Sequence, residues 1–290
     1  MPHYRRLVVC LIVLAGWCLA PDSLAQDLQA PRPIAALDSV FLEALTWMEV
    51  RDAIKAGKTT VIVGTGGIEP NGPYVALGKH NYVLQATTEA IARQLGNALV
   101  APIIKFVPEG RITPPTGHMR YPGTISLREE TFEALLAEVC SSLKQHGFTD
   151  IVLIGDHGDS QRGMKAVAER LRKKWGGPPV VHFIPEYYAQ DMWSYDYLKT
   201  LGVHQKPNVR AAARAGLHDD YHYDAIMATV DPQTIRTEQR LAAGLYNING
   251  FDMSPPSQTI ANGQKLVEYR ANLTVAAIRK ALETRRPARP

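Results

Sequence analysis

The chain has 290 residues and a formal net charge of +4, from 32 Lys and Arg against 28 Asp and Glu. Its length suits one domain of ordinary size. Much of the small positive excess comes from Arg285, Arg286 and Arg289 at the carboxyl end, so no basic stripe remains of the kind a nucleic-acid partner requires.

Residues 1–25 come first in chain order. Arg5 and Arg6 precede an apolar run from Leu7 to Ala20, and Ser23-Leu24-Ala25 follows. A positive start, a short apolar stretch and small residues two apart form the pattern of a cleavable signal peptide. The run falls short of the roughly 20 apolar residues of a membrane span. The pattern predicts cleavage after Ala25 and export, to the periplasm or beyond, with no membrane attachment afterwards. Cys10 and Cys18 leave with this segment. Cys140 is then alone, which excludes an internal disulfide in the mature chain.

Residues 26–45 read as a partly extended leader, residues 46–283 as the folded domain, and residues 284–290 as a basic, proline-containing tail. A helix is expected over 47–56, ended by Gly57. Thr59-Thr60-Val61-Ile62-Val63 is short, apolar and β-branched, as a buried parallel strand should be. A glycine-rich loop leads to a helix from about Asn81 to Leu95, and 98–104 is a second strand. Residues 106–124 form a long loop, and long loops inside compact domains are often functional. Glu129 to His146 is amphipathic, with Phe132, Leu135, Leu136, Val139 and Leu143 on one face; Cys140 sits among them as a buried thiol. Ile151–Ile154 is a third strand, 161–175 a helix and Val180–Ile184 a fourth strand. From Tyr187 the chain is helical and loop-rich, closing with a helix from Gly263 to Leu282. Strands alternating with helices predict an α/β fold, a three-layer sandwich whose mainly parallel sheet is covered on both faces.

Sites in such sheets form beyond the carboxyl ends of the strands. The loop after the first strand carries Glu69 and His80, and the turn after the third carries His157 and Asp159. Carboxylates and imidazoles are the ligands a divalent transition metal takes. Gly158 between His157 and Asp159 makes a tight turn that lets both face one cavity, and Asp156 can orient an imidazole or a loop amide. Read from the residues alone, the same turn can also be only polar, and Glu69 only an anion of a surface loop. Rival motifs are missing. There is no Gly-x-Ser-x-Gly elbow, no His-Glu-x-x-His helix and no phosphate-binding Gly-x-x-x-x-Gly-Lys loop. Glu69 stands where a dinucleotide fold needs its third glycine, and would set a negative charge against a pyrophosphate.

Three segments resemble the creatininase family. Gly66-Gly67-Ile68-Glu69-Pro70-Asn71-Gly72-Pro73-Tyr74-Val75-Ala76-Leu77-Gly78-Lys79-His80 aligns without a gap to Gly-Ser-x-Glu-Gln-His-Gly-Pro-His-Leu-Pro-Leu-Gly-x-Asp. His118-Met119-Arg120-Tyr121-Pro122-Gly123-Thr124 resembles a His-x-x-Phe-Pro-Gly-Thr segment. His146-Gly147-Phe148, a strand and Gly155-Asp156-His157-Gly158-Asp159 resemble the family's His-Gly-Phe, strand and Asn-Gly-His turn. A looser match lies at Gly216-Leu217-His218. Order and spacing hold from about Leu45 to Leu282.

The resemblance implies metal ligands at Glu69 and His157, with Asn71 in place of a histidine, His80 in place of an aspartate that bridges two metals, and Asp159 in place of a longer glutamate. A neutral imidazole offers one lone pair and cannot bridge. One tight site for Zn or Mn is therefore expected from Glu69, His80 and His157, with Asp159 completing it or holding a second, weaker cation. The expected activity is hydrolysis of an amide or cyclic amide C–N bond in a small polar molecule. Asp159 or His218 would protonate the leaving nitrogen. The other expectation is a catalytically degenerate metal- or ligand-binding protein on the same fold. A homo-oligomer, often a hexamer in the family, is implied as well. His118 either lines the pocket or holds its loop. Asp219 or Asp220 caps a helix. His3, His146, His182 and His204 read as structural, and Trp193 as core, interface or pocket wall.

Overall fold

The computed structural model describes residues 27–189, 191–205 and 219–283. The expected signal peptide, the basic tail and His218 lie outside the described residues, as does the side chain of Trp193. The chain divides into two compact units, Met1–Ala36 and Leu37–Pro290. The leader expected over 26–45 thus divides after Ala36. In the first unit, the Asp27 carboxylate accepts a hydrogen bond from the Gln29 amide at 2.8 Å and shapes a turn.

In the second unit, α1 (Trp47–Lys55) opens on a reciprocal cap. Thr46 Oγ1 accepts from the Glu49 amide, and the Glu49 carboxylate accepts from the Thr46 amide. Four strands follow the predicted runs: β1 (Thr60–Thr65), β2 (Ala98–Val100), β3 (Asp150–Gly155) and β4 (Val180–Phe183). They lie in the order β2-β1-β3-β4, all parallel. Side chains alternate between two buried faces. Val61, Val63, Ile151 and Leu153 pack with Phe132, Leu136 and Val167 from α3 (Glu129–Gln145) and α4 (Ser160–Trp175). Ile62, Val152 and Ile154 pack with Leu84 and Ile91 of α2 (Lys79–Leu95) and Val275 and Ile278 of the closing helix. This two-sided burial is why the strands read as continuous apolar runs rather than as alternating ones. Burial pushes the Cys140 thiol up to about 12, which makes it inert.

Beyond β4 come α5 (Glu186–Ala189), α6 (Asp191–Thr200), α7 (Tyr221–Val230), α8 (Thr237–Ala242), the short hairpin β5 (Asn247–Ile248) and β6 (Phe251–Asp252), and α9 (Pro256–Glu283). Asn249 and Gly250 turn the hairpin with φ of 48° and 79°, the left-handed pair that such two-residue turns need. A separate apolar cluster joins α7 to α2 and α9, through Val83, Ile226, Met227 and Leu266.

Three boundaries differ from the sequence expectation. The second strand ends at Val100 rather than 104 because Pro102 cannot donate to the ladder; Ile104 rejoins only as a bridge to Thr65. The helix expected from Asn81 begins at Lys79, which brings His80 inside its first turn. The closing helix begins at Pro256, not Gly263. Gly263 is interior because a Cβ there would collide with the Ala225 carbonyl of α7. It marks a close helix–helix approach, not a start. No helix among the described residues is long and apolar enough to cross a membrane.

Candidate metal centre

β1 and β3 are adjacent, with Thr65 paired to Gly155 at their carboxyl ends. The two expected loops therefore leave the sheet side by side. Gly66 and Gly67 explain the glycine-rich start of the first loop. A Cβ on Gly66 would strike the Asn81 amide, and one on Gly67 would lie 2.6 Å from Glu109 Oε1. The Asn81 side chain pairs with both backbone groups of Gly67, at 3.3 and 3.0 Å. Asn71 is fully buried and spends its Nδ2 on the loop, donating to the carbonyls of Glu69 and Ala76. The loop is thus fixed from inside, and the buried Glu69 with it.

Glu69, Glu109, His118 and His157 each offer one donor atom to a common point, all within 4.8 Å of one another. His118 Nδ1 lies 2.8 Å from both Glu69 Oε2 and Glu109 Oε2. His157 Nε2 lies 3.0 Å from Glu69 Oε2 and 2.9 Å from Glu109 Oε2. Glu109 and His118 come from the long loop 106–124, whose 3₁₀ turn Gly117–Arg120 presents the imidazole. Serine 126 secures that loop, since Ser126 Oγ accepts from the Glu109 amide and donates to the Gly110 carbonyl.

Two buried carboxylates facing two imidazoles set the protonation. Burial opposes charge on His157 and His118, but hydrogen bonds and attraction from Glu109 and Glu69 outweigh it. His157 is raised to about 10 and His118 to about 9. Burial likewise opposes the Glu69 charge, yet Lys79, His80, His118 and His157 hold its carboxyl well below the usual range. Glu69 is thus held ionised by its cationic neighbours, with His118 and His157 protonated beside it. A divalent cation would displace those protons. The geometry fits one. A tetrahedral ion with arms of about 2.0–2.1 Å spaces its ligand atoms by roughly 3.3 Å, a small outward step from the present separations. Two nitrogens and two carboxylate oxygens suit Zn or Mn. Glu109 Oε1 is buried with no hydrogen-bond partner among the described residues, as expected where a cation completes the carboxylate's neutralisation.

Behind the four donors stands a second row. His80 Nε2 lies 2.9 Å from Glu69 Oε1, and His80 Nδ1 lies 2.7 Å from Asp156 Oδ2. Arg270 Nη2 stands 3.1 Å from Asp156 Oδ1. Arginine, aspartate, imidazole and glutamate form one buried line that orients Glu69. Burial raises the Asp156 carboxyl, but Arg270 and His80 prevail and lower it. Lys79 Nζ is 3.2 Å from Glu69 Oε1 and 4.4 Å from the centre of the Tyr223 ring.

The donors floor a cavity of about 400 Å³ walled by Tyr188, Tyr195, Asp220, His222 and Tyr223. Asp159 is exposed at the amino end of α4, where this cavity meets a wider cleft of about 910 Å³ lined by Arg111, Arg128 and Arg162. Asp220 caps α7 in position. Its carboxylate is held by the Tyr195 hydroxyl and the Asn249 amide rather than by a helix N–H. His182 is bonded to Asp150 at 3.0 Å, away from the site.

Of the residues singled out in the sequence, Glu69, His118 and His157 stand in the four-donor group. His80 is one bond behind, and Asp159 is at the cavity mouth. Glu109 and Lys79 carried no sequence signal beyond their place in the long loop and beside His80. A Pro-Glu-Gly in a loop flagged as functional was the available hint.

A comparison at family level matches residues 43–273 to the family described as Creatininase: Creatinine amidohydrolase. Three curated relatives are similar over part of the chain. Creatinine amidohydrolase of Pseudomonas putida is 27% identical over 119 residues, 41% of this chain and 45% of that protein. The 3-dehydro-scyllo-inosose hydrolase of Thermotoga maritima is 24% identical over 119 residues, 41% of this chain and 36% of its own. The mycofactocin precursor peptide peptidase of Mycolicibacterium smegmatis is 27% identical over 117 residues, 39% and 44%. The chain thus spans less than half the length of the curated relatives it matches. The crystal structure of creatinine amidohydrolase superposes with a TM-score of 0.59 at 20% identity, covering 87% of this chain and 100% of that one. Creatininase forms described as Mn and as Zn-Zn type give 0.58 and 0.55 at 20% identity, over 86% and 87% of this chain and 100% of theirs. At that identity the likeness is one of fold.

Proposed function

The chain belongs to the creatininase family, and from that premise we propose that it is a metal-dependent hydrolase cleaving an amide or cyclic amide C–N bond of a small polar molecule. The observation that carries this reading is the four-donor group Glu69, Glu109, His118 and His157, of which Glu69, His118 and His157 line a cavity of about 400 Å³. A cavity of that size suits a small ligand. When bound, a Zn or Mn ion supplies a Lewis acid and brings the pKa of a water towards about 7. The chain's own residues do the rest. The four donors hold the ion, and the line Arg270–Asp156–His80 keeps Glu69 aimed at it. Tyr188, Tyr195, His222 and Tyr223 wall the cavity and offer polar edges to the substrate's N–H and C=O groups. Asp159, exposed at the mouth, would take the proton of the attacking water and pass it to the leaving nitrogen. The same reading includes export by removal of residues 1–25 and assembly as a homo-oligomer. It rests on the Arg5–Ala25 pattern and on the family. Amino-terminal sequencing from the native host should begin at Gln26, and a retained Met1 would contradict export.

The deciding experiment uses His157→Ala and Glu109→Ala beside the wild type, assayed on lactams, hydantoins, formamides and small amides. Wild type should hold Zn or Mn tightly and hydrolyse a member of the panel, while both variants stay folded and lose metal and turnover. Metal without turnover in the wild type would favour the degenerate binder. Metal retained in both variants would sink the site assignment.

A further inference from the structure

We infer that the Lys79 ammonium is a fixed second cation of this centre, holding the Glu69 oxygen to which a second metal ion would otherwise bind. The inference rests on the metal-dependent reading above. Glu69 divides its two oxygens. Oε2 faces His118 and His157, the side that takes the proposed metal, while Oε1 faces His80 Nε2 at 2.9 Å and Lys79 Nζ at 3.2 Å. A carboxylate has lone pairs enough to bridge two cations. Here the second place is filled by a covalently attached one.

Lys79 is 1% exposed, and burying an ammonium costs heavily unless it is paired. It also sits in the first residue of α2, the end of a helix that disfavours positive charge. What offsets both penalties is on the cavity side. The Glu69 carboxylate and the Tyr223 ring face lie on Nζ, and the charge is felt by Asp156 and Asp219 as well. Those same groups, Glu69 Oε1 and His80 Nε2 with acidic neighbours, are the donors a second divalent ion would use. A mutant creatininase of this fold is described as Zn-Zn type. Lysine cannot be exchanged for a metal as an imidazolium proton can. The centre then works with one metal and one ammonium.

Metal content answers this directly. Wild-type protein, Lys79→Ala and Lys79→Arg are dialysed against excess Mn and then against metal-free buffer, and Mn per chain is measured. Electron paramagnetic resonance distinguishes isolated from coupled Mn ions. One Mn per chain is expected in wild type and Lys79→Arg, and two in Lys79→Ala, with the signature of a coupled pair. Lys79→Gln, which removes the charge while keeping side-chain bulk, gives the same readout should the alanine variant not fold. Two ions in the wild type would overturn the inference and leave the metal-dependent reading standing. One ion in each uncharged variant would overturn it too, because the ammonium would then not be what excludes the second. No metal in any of the proteins would defeat the functional reading itself.

Discussion

Two buried charge centres, one at the start of α2 and one on α7, handle excess acid in different ways. At the site, Glu69 and Glu109 face His118 and His157 beneath an open cavity. Under α7, Asp224 faces Arg240, and both are buried. Arg240 is saturated. Its Nη1 donates to Asp224 Oδ2 at 2.9 Å, its Nη2 to the Asn247 carbonyl at 2.8 Å and its Nε to the Leu245 carbonyl at 3.3 Å. Burial, and then the Asp219 carboxylate, push Asp224 up to about 8. A guanidinium has no lone pair to give a metal, and every donor is already used. That centre pins α7, α8 and the hairpin loop together. The imidazoles of the site also neutralise carboxylates, but with protons that a metal can replace. The same ingredients make structure where the cation is permanent and closed in, and chemistry where it is exchangeable and reached by a cavity.

Breaking the closed centre should give the largest effect. Arg240→Met leaves Asp224 and the carbonyls of Leu245 and Asn247 without their donor. Losing one partner of such a buried pair costs about 3–5 kcal/mol, to be read from urea unfolding. The folded fraction should bind metal as wild type does. A wild-type midpoint would show that the pair does not hold this region.

Smaller effects are expected from the second row of the site. His80→Ala removes the link between Asp156 and Glu69 without touching the other three donors. Metal affinity should fall about 10–100-fold, measured by competition with a chelating dye, while thermal unfolding of the metal-loaded protein stays two-state. No change in affinity would mean that His80 does not orient Glu69. Loss of metal altogether would mean that it is itself a ligand.

The gentlest probe is pH. In the metal-free protein, His118 and His157 are raised from their ordinary 6.5 to about 9 and about 10. Groups that hold protons more tightly when folded add stability in full below about 6.5 and lose it as pH rises through their folded values. Chelator-treated protein should therefore weaken between pH 7 and pH 10. Metal-loaded protein, whose histidines are already unprotonated, should lose less over the same range, with Asp224 contributing equally to both. Parallel curves would show that the histidines do not carry those protons. Metal binding at pH 7 should release protons, seen as buffer-dependent heat.

The structure teaches where sequence reading reaches its limit. β3 and β4 and the helices α1, α3 and α4 stand within a residue of their expected bounds, and β1 within two, because apolar runs, periodicity and caps are local properties of the chain. Gly263 was misread as a helix start because a glycine's local preference cannot reveal that Ala225 will press against it. Glu69 and His157 were legible because each directly follows a strand whose end could be located. His118 stayed open between pocket and loop, and Glu109 offered only its place in the long loop 106–124.

The alternation of strand and helix, the parallel sheet and the two turns at its carboxyl edge all follow from local pattern. Which side chains share the centre follows from how those elements pack. The order β2-β1-β3-β4 sets the first and third loops beside each other, and the long loop after β2 folds over them to bring Glu109 and His118 to Glu69. The two residues that begin α2 are turned inward, Lys79 and His80 onto the same carboxylate. Backbone preferences act over a few residues, whereas a metal centre depends on which distant loops the packed sheet brings within about 3 Å of each other. No local pattern encodes that distance.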